Sequence, residues 1–148
     1  MKITNIENFI VDAGWRPWGF VKVETDEGIT GWGECSDGRS PNGVAGTIED
    51  LKPVLIGTDP REFEMRFWDM FRATRQSPGG IAAKALAGLD CAFIDIKAKS
   101  LGISVPELFG GPTRERVRVY WSHCGTSRVG NNELIGVPAL RTWDDITN

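Results

Sequence analysis

The chain has 148 residues, of which 41% are hydrophobic and 25% charged, with a net charge of −3. That is enough for one globular domain with a core of its own, and the composition excludes a disordered chain. It also gives no clustered positive surface for a nucleic acid, no signal-peptide core after Met1 and no stretch near the ~18 apolar residues that span a membrane.

The first third reads as strands. Ile3, Ile6, Phe9 and Val11 fall in an apolar-rich run that Gly14 breaks. Phe20-Val21-Lys22-Val23-Glu24-Thr25 alternates with period two, Asp26-Glu27-Gly28 is a compact hairpin signal, and Ile29-Thr30-Gly31-Trp32-Gly33-Glu34 returns as the partner. Three strands in an antiparallel meander follow. From Ser36 to Gly46 the composition shifts to Asp, Gly, Arg, Ser, Pro and Asn, which predicts a long loop.

Helical spacing begins near Val44, with Ile48, Leu51 and Leu55 on one face and Pro53 in the last turn. Thr58-Asp59-Pro60 reads as an N-cap followed by a proline at the first helical position, with Phe63, Phe67, Met70 and Phe71 as the next apolar stripe. The clearest helix runs from about Gly80 to Ser100. Leu86, Leu89, Phe93 and Ile96 share a face, Asp95 and Lys99 form an i, i+4 pair, and Gly102 ends the helix. A helical turn at Pro106–Phe109 stops at Gly110-Gly111.

Val117 to Ser122 has the composition of a further strand, and Thr142 to Ile146 that of a helix start. Strand, loop and helix open a βα unit, which calls for a parallel partner strand beyond Asn148. The expected division is therefore a domain over 1–112 and the opening of a second over 113–148.

Of the three cysteines, Cys91 sits in an apolar helical pattern and is expected as a buried free thiol. The odd count and the lack of C-x-x-C spacing favour a reduced, cytoplasmic setting. Gly31-Trp32-Gly33 lacks the third glycine of a dinucleotide fingerprint, and Gly79-Gly80 lacks a Walker lysine. Glu34 ends a strand with no second carboxylate near it and reads as structural. Cys124 has no visible pKa-lowering neighbour beyond His123, which argues against a nucleophile.

Five segments in order carry a family resemblance: Lys2-Ile3-Thr4, Gly31-Trp32-Gly33-Glu34, Ala85-Leu86-Ala87-Gly88-Leu89-Asp90, Asp95 through Gly102, and Pro106 through Gly111. On these the chain resembles the N-terminal part of the enolase superfamily, in its mandelate racemase/muconate lactonizing branch. The resemblance implies an α+β fold, a three-stranded antiparallel meander with a helical subdomain, followed by the start of a (β/α) barrel. It also implies an Mg²⁺-dependent parent enzyme, in which a base removes the proton next to a carboxylate and the cation stabilises the enediolate.

In that family the metal carboxylates and acid/base residues lie on later barrel strands, so none is expected in this chain. Lys97-Ala98-Lys99 imitates the family's Lys-x-Lys motif, but in a helix the two side chains stand about 200° apart and are expected as solvated surface. The loop around Trp15, Arg16 and Trp18 corresponds to one that closes over the barrel mouth, where it would exclude water and meet a substrate carboxylate. The loop holding Asp37 and Arg39 corresponds to the second capping loop, and its polarity suits a polyhydroxylated substrate. His123 follows the barrel-like strand at its C-terminal end, where such barrels place functional groups. The bland alternatives are a tryptophan corner, an ordinary solvent loop and a structural histidine.

The activity expected of the parent is dehydration of a sugar acid, with racemisation or cycloisomerisation as the alternative within the superfamily. A non-catalytic capping or oligomerisation module is the alternative outside it. The partners expected are a small-molecule carboxylate and further copies of the chain in a homo-oligomer, with no nucleic acid and no membrane.

Overall fold

The computed structural model describes residues 1–13, 16–120, 126–134 and 136–147. Three strands, β1 (Ile3–Asp12), β2 (Pro17–Thr25) and β3 (Thr30–Glu34), form one antiparallel sheet in the order β1-β2-β3. Val23 stands opposite Ile6 and Gly31, and Val21 opposite Asn8 and Gly33. The hairpin between β2 and β3 turns through Gly28, whose φ of 77° suits a residue without Cβ. Its N–H donates to the Thr25 carbonyl, and the Thr25 hydroxyl donates to the Ile29 carbonyl.

Alternation along β2 sends Val21, Val23 and Thr25 to the buried face. Helices α1 (Pro41–Leu55), α2 (Phe63–Ala73) and α3 (Gly80–Leu101) build the core with that face. Val44, Ile48, Leu51 and Leu55 come from α1, Met70 from α2, and Leu86, Leu89, Phe93 and Ile96 from α3, all buried in one cluster with Ile3 and Ile6. The 3.6-residue spacing marked the buried face of α1 and α3, whereas in α2 Met70 is buried, Phe63 and Phe67 pack against the cluster and Phe71 is exposed. Gly102 closes α3 in the left-handed conformation, its N–H donating to the Ala98 and Lys99 carbonyls. The short α4 (Val105–Leu108) starts in a capping box, with Ser104 and Glu107 each satisfying the other's backbone N–H.

The glycines of β3 have a specific cause. A Cβ on Gly31 would sit 2.1 Å from the Ala92 carbonyl oxygen, and one on Gly33 would sit 1.9 Å from that of Gly88. Gly88 in turn faces the Cβ of Cys35, which a Cβ of its own would approach to 2.6 Å. Strand β3 and helix α3 thus meet backbone to backbone. Asp95 ties the same seam by accepting the Trp32 N–H at 3.0 Å, and Lys99 donates to the Thr30 carbonyl at 2.8 Å while pairing with Asp95 at 2.7 Å. Trp32 itself turns to the outer face of the sheet, its ring centroid 5.5 Å from that of Phe9.

Several expectations change. Helix α1 begins at Pro41, not near Val44, because Pro41 takes the first-turn position. Thr58-Asp59-Pro60 does not start a helix. Asp59 accepts from the Arg61 N–H and guanidinium, Thr58 donates back to the Leu55 carbonyl, and α2 starts only at Phe63. Cys91 is exposed and Cys35 is the buried thiol, since position 91 lies about 200° around α3 from Leu89. Phe9 and Val11 are half exposed on the outer face.

Residues 117–120 carry no strand; Val117, Val119 and Tyr120 are at least 73% exposed, and no described strand lies beside them to complete a ladder. Beyond them lie α5 (Thr126–Gly130), which the sequence reading missed, and α6 (Asp144–Thr147), which it placed. No helix among the described residues is long and apolar enough to cross a membrane.

Candidate functional site

The two loops that the sequence singled out are neighbours in space. Strand β2 leaves the first at Pro17, and β3 enters the second at Cys35. Gly19 joins their roots: its carbonyl accepts the Cys35 N–H at 2.9 Å, and its N–H donates to the Ser36 hydroxyl at 3.1 Å. The Ser36 hydroxyl in turn donates to the Glu34 carboxylate at 2.6 Å. Burial, then the charge of Glu34, pushes the Cys35 thiol up from its ordinary pKa, so it stays protonated at this junction.

The second loop is folded by Asp37. Its Oδ1 accepts the N–H groups of Arg39 and Ser40, each at 2.8 Å, in an Asx turn. Its Oδ2 pairs with the Lys84 ammonium on α3. The lysine first, and then the two backbone donors, hold the carboxyl down at about 2. Asp37 is only 9% exposed and already engaged with three donors. These three donors hold the carboxylate at the base of the loop.

Arg16 and Arg39 come together. With Gly38 and Asn131 they line an open recess of about 430 Å³. The Arg16 stem crosses Gly38, where a Cβ would lie 3.9 Å from its Cδ. The turn into β2 closes through the Ala13 N–H donating to the Arg16 carbonyl. Two guanidinium groups and a carboxamide offer paired donors suited to a carboxylate and flanking hydroxyls. Trp18 does not line this recess. It sits on the outer face of the sheet opposite Val11, edge-on to Phe20 at 6.4 Å. Trp15 and His123 lie outside the described residues. Asn131 was not foreseen, because it falls in a polar stretch with no periodicity to place it.

Lys97 and Lys99 diverge as helical geometry requires. Lys97 lies over the Phe63 ring at 4.9 Å, and Lys99 stays with Asp95. Among the described residues, no three His, Cys, Asp or Glu side chains gather as a cation cage needs. The groups present among the described residues do not fit a magnesium site.

Residues 13–110 match the family described as "Mandelate racemase / muconate lactonizing enzyme, N-terminal domain". The chain belongs to this family, within the enolase superfamily. A D-galactonate dehydratase of Ralstonia pickettii (strain 12J) is 42% identical over 142 residues, which cover 95% of this chain and 36% of that protein. A crystal structure of a Burkholderia xenovorans strain LB400 protein bound to magnesium and fumarate superposes with a TM-score of 0.83 at 40% identity, over 89% of this chain and 33% of that one. An enolase from Pantoea ananatis with bound D-gluconate and Mg gives 0.72 at 34% identity, over 76% and 28%. The chain thus spans about a third of the length of the curated relatives it matches.

Proposed function

We propose that this chain is the N-terminal capping part of a magnesium-dependent sugar-acid dehydratase, with D-galactonate as the first substrate to test. One observation carries the reading: the two capping loops meet so that Arg16 and Arg39 share one recess. Paired guanidinium groups recognise a carboxylate in fixed orientation, and the polar rim suits an acid with several hydroxyls. The identity to D-galactonate dehydratases supports the substrate class.

In this reading the chain's own part is to bind and orient. Arg16 and Arg39 hold the acid, and the loops limit water at the reacting carbons. Proton removal beside the carboxylate and loss of the neighbouring hydroxyl fall to groups outside these residues. Trp15, Trp18 and His123 remain proposed contributors. The boundary at 112/113 and a homo-oligomeric state belong to the same proposal, and sedimentation of the natural-length protein checks the latter against a monomer mass.

The test is a turnover screen of the natural-length protein with Mg²⁺ and a panel of sugar acids, following the 2-keto-3-deoxy product. Formation of that product from D-galactonate or a close epimer is expected. Turnover only of an acid without hydroxyls, or racemisation without water loss, overturns the dehydratase assignment.

A further inference from the structure

We infer that Lys84 is a positioning residue that, through Asp37, sets Arg39 in the recess; this rests on the recess being an acid-binding site. Lys84 lies on α3, 47 positions along the chain from Asp37. The carboxylate it meets has its two oxygens divided between two tasks. Oδ2 anchors the loop to the helix through Lys84, and Oδ1 fixes the backbone of Arg39 and Ser40 at 2.8 Å each. One side chain thus folds the turn and ties it to the most deeply embedded helix of the core.

The charge argument points the same way. The Asp37 side chain is 11% exposed, whereas that of Lys84 is 46% exposed, so the helix contributes the cation and the loop contributes a mostly buried anion. Gly38 and Arg39 follow Asp37 directly, and Arg16 crosses Gly38. Without the ammonium, this mostly buried carboxylate would lose its charged partner. A turn of Asp37 towards solvent would release the Asx turn that presents Arg39. Lys84 therefore acts on ligand binding without lining the recess.

The experiment uses the ¹⁵N-labelled 148-residue chain with D-galactonate as the probe. In the unaltered chain, the Nε–Hε signals of Arg16 and Arg39 shift on titration. In Lys84→Met, the Arg39 and Ser40 amides exchange roughly tenfold faster, and the Kd for D-galactonate rises roughly tenfold. Lys84→Arg restores both. Asp37→Asn reproduces both effects, and combining it with Lys84→Met adds little, because the two act as one unit. A Lys84→Met chain that melts lower but binds D-galactonate as before overturns the inference, as does unchanged exchange at Arg39 and Ser40. If the arginine signals of the unaltered chain ignore D-galactonate while the exchange change persists, the acid-binding reading fails. Lys84's role in binding then falls with it, and the loop anchor stands alone.

Discussion

Gly33 and Gly46 show how the same substitution takes opposite signs in one domain. A methyl on Gly33 meets the Gly88 carbonyl, which is helix backbone and cannot turn aside. Gly33→Ala should cost at least about 2 kcal/mol, as overpacking of a closed interface does. Gly46 lies in α1 with open space around its Cβ position and no left-handed φ. Gly46→Ala should stabilise by about 0.5–1 kcal/mol. Urea denaturation of both variants checks the pair, and a Gly33→Ala protein as stable as its parent would mean that β3 is not seated on α3.

Asp37 supplies a pH prediction at the same scale. Its folded-state pKa is about 2 against an ordinary 3.8, so the ionised form is favoured by folding. Its contribution is full above pH 3.8 and is lost as pH falls through about 2. The stability difference between the parent chain and Asp37→Asn should therefore be constant near neutrality and shrink between those two values. Acids common to both proteins cancel in this difference. A gap that stays constant down to pH 2 would show that Asp37 gains nothing from Lys84 and the loop amides. None of this was legible beforehand, because a loop aspartate that binds a ligand and one that binds its own backbone look alike in sequence.

Among the elements, α3 carries the most. It contacts β3, β2, α1, α2 and α4, and Leu89 is wholly buried at its centre. Leu89→Ala should destabilise by about 3 kcal/mol, within the range for a leucine truncated in a tight core. Thermal unfolding would reveal it, and a loss below about 1 kcal/mol would mean that the core closes over the gap. This helix was readable in the sequence because its period-3.6 stripe runs through four large residues without interruption. Its neighbours were less so. Pro41 and Pro60 both follow polar residues that can cap a helix, yet only Pro41 opens one. Arg61 holds the Asp59 side chain, but Ser40 makes no side-chain cap either, so the residue before the proline does not by itself decide the start. Val117 to Tyr120 shows the limit from the other direction: β-branched composition favours a strand, but a ladder needs a neighbour.

At the scale of the molecule, the buried cluster is drawn from residues 3–96. The packing between elements among the described residues runs from β1 to α4. A chain of residues 1–112 should then unfold within about 4 °C of the 148-residue chain, a difference under 1 kcal/mol for a domain of this size. A larger fall would place part of the fold's support beyond 112. The sheet order and its inward-facing valines followed from alternation and turn signals, and the two capping loops from the family resemblance. The recess did not, because it depends on Arg16 crossing Gly38 and on Asn131 arriving from a stretch without pattern.

The seam between β3 and α3 also bears on how such a domain can diversify. Its contacts are carbonyls against missing side chains, and they end at Cys35, where the second loop begins. The loop's base is therefore set by main chain and by Ser36, and its tip can change residue by residue without shifting that base. Exchanging residues 37–39 for those of a relative, with position 84 exchanged alongside, should retune ligand preference while the melting temperature holds. Divergence in this domain has a built-in insulator: novelty at the loop tip does not propagate into the core.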